Sequence, residues 1–149
     1  MSLQQKIMDA MKTAMKAKDT TSLEALRAVK SALLLAQTEG GASGSISEQD
    51  EIKLLQKLVK QRKDSAAIYE EQGREDLAAP ERDQAAVIAE FLPEQLDEVA
   101  ISKVVESVIA ETGAESMKDM GKVMGIVNQR LAGQADGKTI STIVKQKLS

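Results

Sequence analysis

The sequence predicts an all-α protein, and three observations support that prediction. Apolar residues make up 42% of the 149 residues, and Ala, Leu, Val, Ile and Met account for nearly all of them. Only two prolines and nine glycines interrupt the chain. Apolar positions recur three or four residues apart, which is the period of one face of a helix. We expect an N-terminal lobe of about four helices over residues 1–94 and a smaller three-helix lobe over residues 95–149.

The first two helices are predicted to form a hairpin. An apolar stripe with a four-residue spacing indicates a helix over residues 2–17. The second helix is expected to begin between Asp19 and Ser22, because Thr21 and Glu24 have the spacing of a capping box. Its apolar face continues to about residue 38.

Two longer segments complete the N-terminal lobe. A small polar connection over residues 40–45 precedes a third helix, which Ser47 is expected to cap and Gly73 to end. We expect Pro80 in the first turn of the fourth helix, where a missing amide hydrogen matters least. A short turn over residues 75–79 is the alternative start of this segment.

The C-terminal lobe is expected to begin after the Leu92–Glu94 segment, where elements become shorter. Each predicted helix opens near a residue of capping type or a glycine. The expected spans are Asp97 or Glu98 to Gly113, Ser116 to about Gly133, and Gly137 to Leu148.

Composition excludes several kinds of chemistry. The chain has no Cys and no His, which removes thiolate and imidazole catalysis and the usual ligands of zinc and haem. Tyr69 and Phe91 are the only aromatic residues, so a platform for stacking nucleobases is not expected. No apolar run is long enough to span a membrane, and we expect a cytoplasmic protein. Oxygen-ligated Mg or Ca sites and the chemistry of Ser, Lys, Asp or Glu remain open to this composition, but no catalytic residue, metal ligand or cofactor is predicted.

One loop has a composition that is typical of phosphate sites. Residues 133–139, GQADGKT, contain two glycines before Lys138 and Thr139, but three residues separate the glycines where a P-loop needs four. No strand is predicted before them, so nucleotide hydrolysis is not expected. Gly137 and Lys138 at a helix start could still attract one phosphate, and an ordinary helix cap is an equally good interpretation.

Glycine and charge single out the two last helices. Gly121 and Gly125 have the spacing that lets two helix backbones approach closely, so a neighbouring helix is the favoured interpretation and a ribose-phosphate chain the alternative. Residues 116–149 carry six basic and two acidic side chains, a local charge of +4 in a chain of net charge −3. Such a surplus can bind an RNA backbone or be an ordinary solvated face.

Arg62 is the one charged residue expected within an apolar stripe. Its helical angle places it among the core positions of the third helix, so its guanidinium should be paired or emerge at an edge of the core. Glu70, Glu90 and Asp76 are the candidate partners.

Three segments resemble the YqeY family: residues 14–34, residues 54–96 and residues 119–148, the last reading DMGKVMGIVNQRLAGQADGKTISTIVKQKL. The C-terminal part also resembles the tail domain of the B subunit of aspartyl/glutamyl-tRNA amidotransferase, GatB. This resemblance implies an all-α protein whose small lobe helps to recognise tRNA, whereas catalysis belongs to parts of the amidotransferase with no counterpart here. It carries tRNA contact onto the matching positions Gly121, Lys122, Gly125, Gly133, Gly137 and Lys138.

Three hypotheses of function follow. The first is a non-catalytic tRNA-binding accessory module, in which the phosphate contacts come from Lys118, Lys122, Arg130 and Lys138. The second is a helical protein-interaction scaffold that docks on an aminoacyl-tRNA synthetase or amidotransferase through the methionine stripe of residues 117–131. The third, ranked last, is a component of a carbon-nitrogen ligase with glutamine as the amide donor.

Overall fold

A computed structural model describes residues 2–39 and 46–149, so the predicted connection over residues 40–45 lies outside the described residues. The described chain is all-helical, as predicted. It contains seven α-helices and one 3-10 turn over Met117–Asp119. The α-helices are α1 (Leu3–Ala17), α2 (Thr20–Glu39), α3 (Glu48–Glu71), α4 (Glu75–Ala89), α5 (Glu98–Thr112), α6 (Met120–Arg130) and α7 (Gly137–Leu148).

The chain divides into two compact units, Met1–Leu92 and Pro93–Ser149, which we call unit 1 and unit 2. In unit 1, α3 and α4 pack along each other as a hairpin, and α2 lies against α4 and α1. The core is aliphatic. Its largest fully buried side chains are Ile7, Leu26, Val29, Leu33, Leu55 and Ile88.

The helix ends in unit 1 follow simple capping rules, with one difference from prediction. Lys18 adopts a left-handed conformation, with φ of 57°, and closes α1. The carboxylate of Asp19 then accepts a hydrogen bond from the Ser22 amide at 3.1 Å, so Asp19 is the cap of α2 and the predicted Thr21 capping box is wrong. Ser47 caps α3 as predicted, because its hydroxyl accepts from the Asp50 amide at 3.1 Å.

Pro80 does not lie in the first turn of α4. The helix begins at Glu75, which replaces the predicted short turn with regular helix, and Pro80 is the sixth residue. At that position an amide hydrogen would bond to the carbonyl of Asp76, and proline has none. Acidic residues Glu75 and Asp76 in the first turn favour the earlier start, since they complement the helix dipole.

The expected carboxylate partner of Arg62 is also wrong. The Arg62 Nε donates to the side-chain oxygen of Gln84 at 3.1 Å, and one terminal nitrogen donates to the Leu58 carbonyl at 3.2 Å. The Gln84 amide in turn donates to Glu24 at 3.3 Å. Arg62 is only partly buried, so neutral acceptors suffice and the network links α2, α3 and α4.

Unit 2 is a three-helix arrangement around a valine-rich and isoleucine-rich core. Asp97 caps α5 by accepting from the Ala100 amide at 2.8 Å, and Gly113 ends it with φ of 69°. Ser116 makes no capping hydrogen bond from its side chain, and the segment predicted as one helix from Ser116 to Gly133 is a 3-10 turn followed by α6, which ends at Arg130. The buried side chains on all three helices include Ile101, Val105, Val108, Val123, Val127, Ile140 and Val144.

Candidate nucleic-acid interface

The α6 helix has one buried face and one exposed face. Val123 and Val127 are fully buried in the core of unit 2. On the opposite side, Gly121, Lys122 and Gly125 are exposed. At 3.6 residues per turn, the two glycines lie about 40° apart around the helix axis, and Lys122 lies about 60° from Gly125. We call Gly121, Lys122 and Gly125, together with the exposed Lys118 of the preceding 3-10 turn, the glycine-lysine face.

The two glycines have no close neighbour. A Cβ atom built on Gly121 or on Gly125 would meet no atom of the described residues within 4 Å, apart from the helix's own backbone. The expectation that they accept a neighbouring helix of the same lobe is therefore wrong for the described chain. Glycine inside a helix costs roughly 1 kcal/mol relative to alanine, and no packing contact offsets that cost here. What the glycines provide is a patch of exposed helix backbone.

Two lysines flank this patch, Lys118 before the glycines and Lys122 between them in sequence. Lys118 and Lys122 are exposed, and neither forms an ion pair within 4 Å with the part of the chain that the structure describes. Asp119 lies between them in sequence. Its carboxylate accepts a hydrogen bond from the Glu115 amide at 3.0 Å, and this bond, with smaller effects of the Ser116 amide and the two lysines, lowers the pKa of Asp119.

Arg130 is differently placed. Its guanidinium forms a bidentate ion pair with Glu111 of α5, in which one nitrogen lies 3.1 Å from a carboxylate oxygen. This hydrogen bonding lowers the pKa of Glu111 and raises that of Arg130. Lys147 of α7 similarly pairs with Glu106 of α5 at 2.6 Å. Two of the six cations behind the predicted surplus are therefore neutralised within unit 2, which carries seven basic and eight acidic side chains in all.

The loop between α6 and α7 holds the remaining predicted residues. Gly133 has φ of 78°, a left-handed conformation that favours glycine, and its carbonyl accepts from the side chain of Gln95. Asp136 caps α7, and its carboxylate accepts from the Thr139 amide at 2.6 Å. An acidic group thus already occupies the helix N-terminus at Gly137, which offsets the attraction expected there for a phosphate.

Lys138 is exposed in the first turn of α7, and it forms no ion pair with a described residue. The structure accordingly places the eight predicted residues in three groups. Four form the glycine-lysine face, Arg130 is held by Glu111 at the end of α6, and Gly133, Gly137 and Lys138 lie in and just after the following loop. No sequence pattern indicates Glu111, because its role depends on a contact with Arg130, which lies 19 positions away in the chain.

The methionine stripe is not a continuous exposed surface. Met120 and Met124 pack against the core of unit 2, while Met117 is 41% exposed. This arrangement counts against docking through the stripe, because two of its three methionines already serve as packing for the lobe itself.

The described residues bring together no group of three or more acidic side chains suited to a metal ion. Within the same residues, none of the helices has both the length and the apolar character that crossing a bilayer requires.

Comparison with known proteins identifies the family of this chain. The YqeY family model, described as Yqey-like protein, matches residues 4–148. One relative is the E subunit of the glutamyl-tRNA(Gln) amidotransferase of Thermococcus gammatolerans, 34% identical over 103 residues. That match covers 66% of this chain and 16% of the relative, so the chain spans about a sixth of that relative's length.

A second relative is altered inheritance of mitochondria protein 41, mitochondrial, of Clavispora lusitaniae. It is 30% identical over 125 residues, which are 82% of this chain and 72% of the relative. The family model covers both units, from the start of α1 to the end of α7. The chain belongs to the YqeY family.

Proposed function

We propose that this chain is a non-catalytic, tRNA-binding accessory module. The observation that carries the proposal is the glycine-lysine face of α6, on which exposed backbone and unpaired lysines lie together with no described element over the glycines. The similarity to part of a protein whose name is that of a glutamyl-tRNA(Gln) amidotransferase component supports tRNA as the nucleic acid. An amidotransferase or a synthetase acting on the same tRNA is the expected protein partner, and the cytoplasm the expected location.

The chemistry of the face suits a phosphate backbone. Lysine supplies a compact positive charge on a flexible stem, which contacts phosphates without reading sequence. The glycines remove the side chains that would otherwise hold a sugar-phosphate chain away from the helix. Lys118 and Lys122 contact the backbone first in this proposal, and Lys138 extends the contact to the start of α7.

Reversing two of these charges tests the proposal. The variant Lys122→Glu/Lys138→Glu should reduce the affinity for unfractionated tRNA and lower the slope of log affinity against log salt by about 1.4 to 1.8, because each lost phosphate contact contributes about 0.7 to 0.9. Fluorescence anisotropy with labelled tRNA between low and moderate salt measures both quantities.

The matched control is Lys53→Glu/Lys57→Glu. These lysines are exposed on α3 in unit 1, so the control changes the net charge by the same amount without touching the face. The control should retain the wild-type salt slope. Equal losses in the two double variants, or no loss in either, would contradict the proposal, and so would glutamine-dependent amidation of mischarged tRNA by the purified chain.

A further inference from the structure

Unit 2 contains a shallow open pocket of about 470 Å³ beside α5. Its apolar floor consists of Leu96, Val104 and Leu131. The volume is within the range of about 300 to 1,000 Å³ that small-molecule sites occupy. None of the sequence patterns indicates this pocket, because it forms where α5 and the residue Leu96 before it meet the end of α6, more than 20 residues later in the chain.

Four polar side chains surround the floor. Lys103, Ser107 and Gln134 line the pocket, and their side chains form no hydrogen bond or ion pair with the described part of the chain. Arg130 is the fourth, and the Glu111 carboxylate fixes its orientation through two hydrogen bonds. A guanidinium has five donor hydrogens, so Arg130 keeps donors for a second anion.

The rim of the pocket is held by backbone contacts. The Leu96 amide donates to the Gln134 carbonyl at 2.9 Å, and the Gln134 amide donates to the Leu131 carbonyl at 2.8 Å. The Gln95 side chain donates to the Gly133 carbonyl, which ties the segment before α5 to the loop after α6. Gln134 is thus presented by a loop whose backbone is already fixed, and the other three polar groups by helices α5 and α6, which reduces the entropy lost on binding.

We propose that this pocket binds a single unpaired nucleotide. The base lies over the floor of Leu96, Val104 and Leu131. The side-chain amide of Gln134 hydrogen-bonds to the edge of the base, and Lys103 and Arg130 bind the phosphate. An inorganic anion would use the two cations and leave the floor unused, whereas a nucleotide uses both. A base within a duplex cannot reach the floor, so the site selects a nucleotide from a loop or a strand end.

The pocket lies further along α6 than the glycine-lysine face and on a different side of the helix. Arg130 lies eight residues after Lys122, which places it about 12 Å further along the helix axis and about 80° around it from Lys122, but about 140° from Gly125. A single strand bound at Lys122 can therefore reach the pocket only with a nucleotide several positions further along the strand. In this RNA context the inference rests on the proposed function, but the pocket can be tested without RNA.

The first experiment titrates the isotope-labelled full chain with AMP, CMP and inorganic phosphate at millimolar concentrations and follows backbone amide shifts. We expect the two nucleotides to shift Val104, Leu131 and Gln134, and phosphate alone to shift mainly the surroundings of Lys103 and Arg130. Ser107→Trp should fill the pocket and abolish the floor shifts, and Lys103→Ala should weaken nucleotide binding several-fold while leaving the fold intact. Shifts confined to other residues, identical shifts with phosphate alone, or no shifts would overturn the proposal.

The second experiment separates this inference from the proposed function. A hairpin RNA with an unpaired loop and a blunt duplex of the same stem are compared for binding to the wild type and to Lys103→Ala. We expect the wild type to prefer the hairpin, and Lys103→Ala to lose that preference while binding the duplex as before. Equal binding of both RNAs by the wild type refutes the pocket, whereas no binding of either RNA refutes the proposed function.

Discussion

The open glycines of α6 allow a prediction in which stability and RNA affinity change in opposite directions. Replacing Gly125 by alanine adds one methyl group to the exposed side of the helix. Because no described atom lies within 4 Å of the new Cβ, the methyl group meets no steric obstacle. Alanine is the better helix former, since it loses less backbone freedom on folding.

The magnitude follows from the position of each glycine. Gly125 is the sixth residue of α6 and has helix on both sides, so Gly125→Ala should raise the free energy of unfolding by about 1 kcal/mol. Gly121 is the second residue, where the helix is less constrained, and Gly121→Ala should add about 0.5 kcal/mol. The double variant should gain about 1.5 kcal/mol in total if the two sites act independently.

The assay follows unfolding within unit 2 alone. Urea titration monitored through the amide signal of Val127, a fully buried residue of α6, should show a higher midpoint in the double variant. Each 1 kcal/mol corresponds to about 0.3 to 1 M urea. In the tRNA anisotropy assay the same variant should bind more weakly, because two methyl groups now separate the backbone of α6 from the ribose-phosphate chain.

The control reverses the substitution on another helix. Ala110 is exposed on α5, and Ala110→Gly should lower stability by about 1 kcal/mol without changing tRNA affinity. Destabilisation by Gly125→Ala would show that a neighbour covers the face and would refute the reasoning. Stabilisation with unchanged tRNA affinity would keep the open face but remove its role in RNA contact.

Three further predictions concern features that the structure explains. Pro80→Ala should raise the free energy of unfolding of unit 1 by up to about 3 kcal/mol, measured by urea titration. Pro80 is exposed, and the alanine amide can donate the helix hydrogen bond that proline lacks. A loss of stability would contradict the position of Pro80 inside α4. Asp97→Ala should cost about 0.5 to 2 kcal/mol through loss of the α5 cap, and Asp97→Asn, which can still accept the hydrogen bond, should cost less. Glu111→Gln should raise tRNA affinity and the salt slope, because it frees the charge of Arg130. Since the pKa of Glu111 is lowered in the folded state, its contribution to stability is present at neutral pH and is lost as the pH falls through that pKa, so the variant should also show a weaker acid dependence of unfolding.

Local sequence patterns predicted much of the helical framework. Ser47 could be identified as a cap, and Asp97 as one of two candidates with Glu98, because a cap acts within three residues of itself. Gly113 could be identified as a helix end because a left-handed conformation favours a residue without a Cβ atom. The Pro80 prediction failed because proline is most common in a first turn, and that preference did not decide where α4 begins. Glu75 and Asp76, five and four positions before Pro80, already form the first turn of the helix.

The candidate site was less predictable because its character depends on contacts across the chain. The spacing of Gly121 and Gly125 is the same whether a helix covers them or not, and only the packing of unit 2 shows that the face is open. Arg62 illustrates the same limit. Its angle on α3 correctly indicated a partner, but the choice of Gln84 over a carboxylate depends on which residue of α4 faces it.

The arrangement of charge in unit 2 explains how a chain of net charge −3 can present a cationic face. Glu106 and Glu111 on α5 pair with Lys147 and Arg130, whereas the glycine-lysine face lies on the exposed side of α6. At physiological ionic strength charges more than about 8 Å apart are largely screened, so a phosphate on that face responds mainly to its lysines and to Asp119, which lies between Lys118 and Lys122 in sequence. At about 0.01 M salt the screening length rises to about 30 Å, and the acidic groups of the whole unit then act on the RNA. The plot of log affinity against log salt should therefore flatten at the lowest salt concentrations, which would distinguish a local cationic face on an acidic protein from a uniformly basic one.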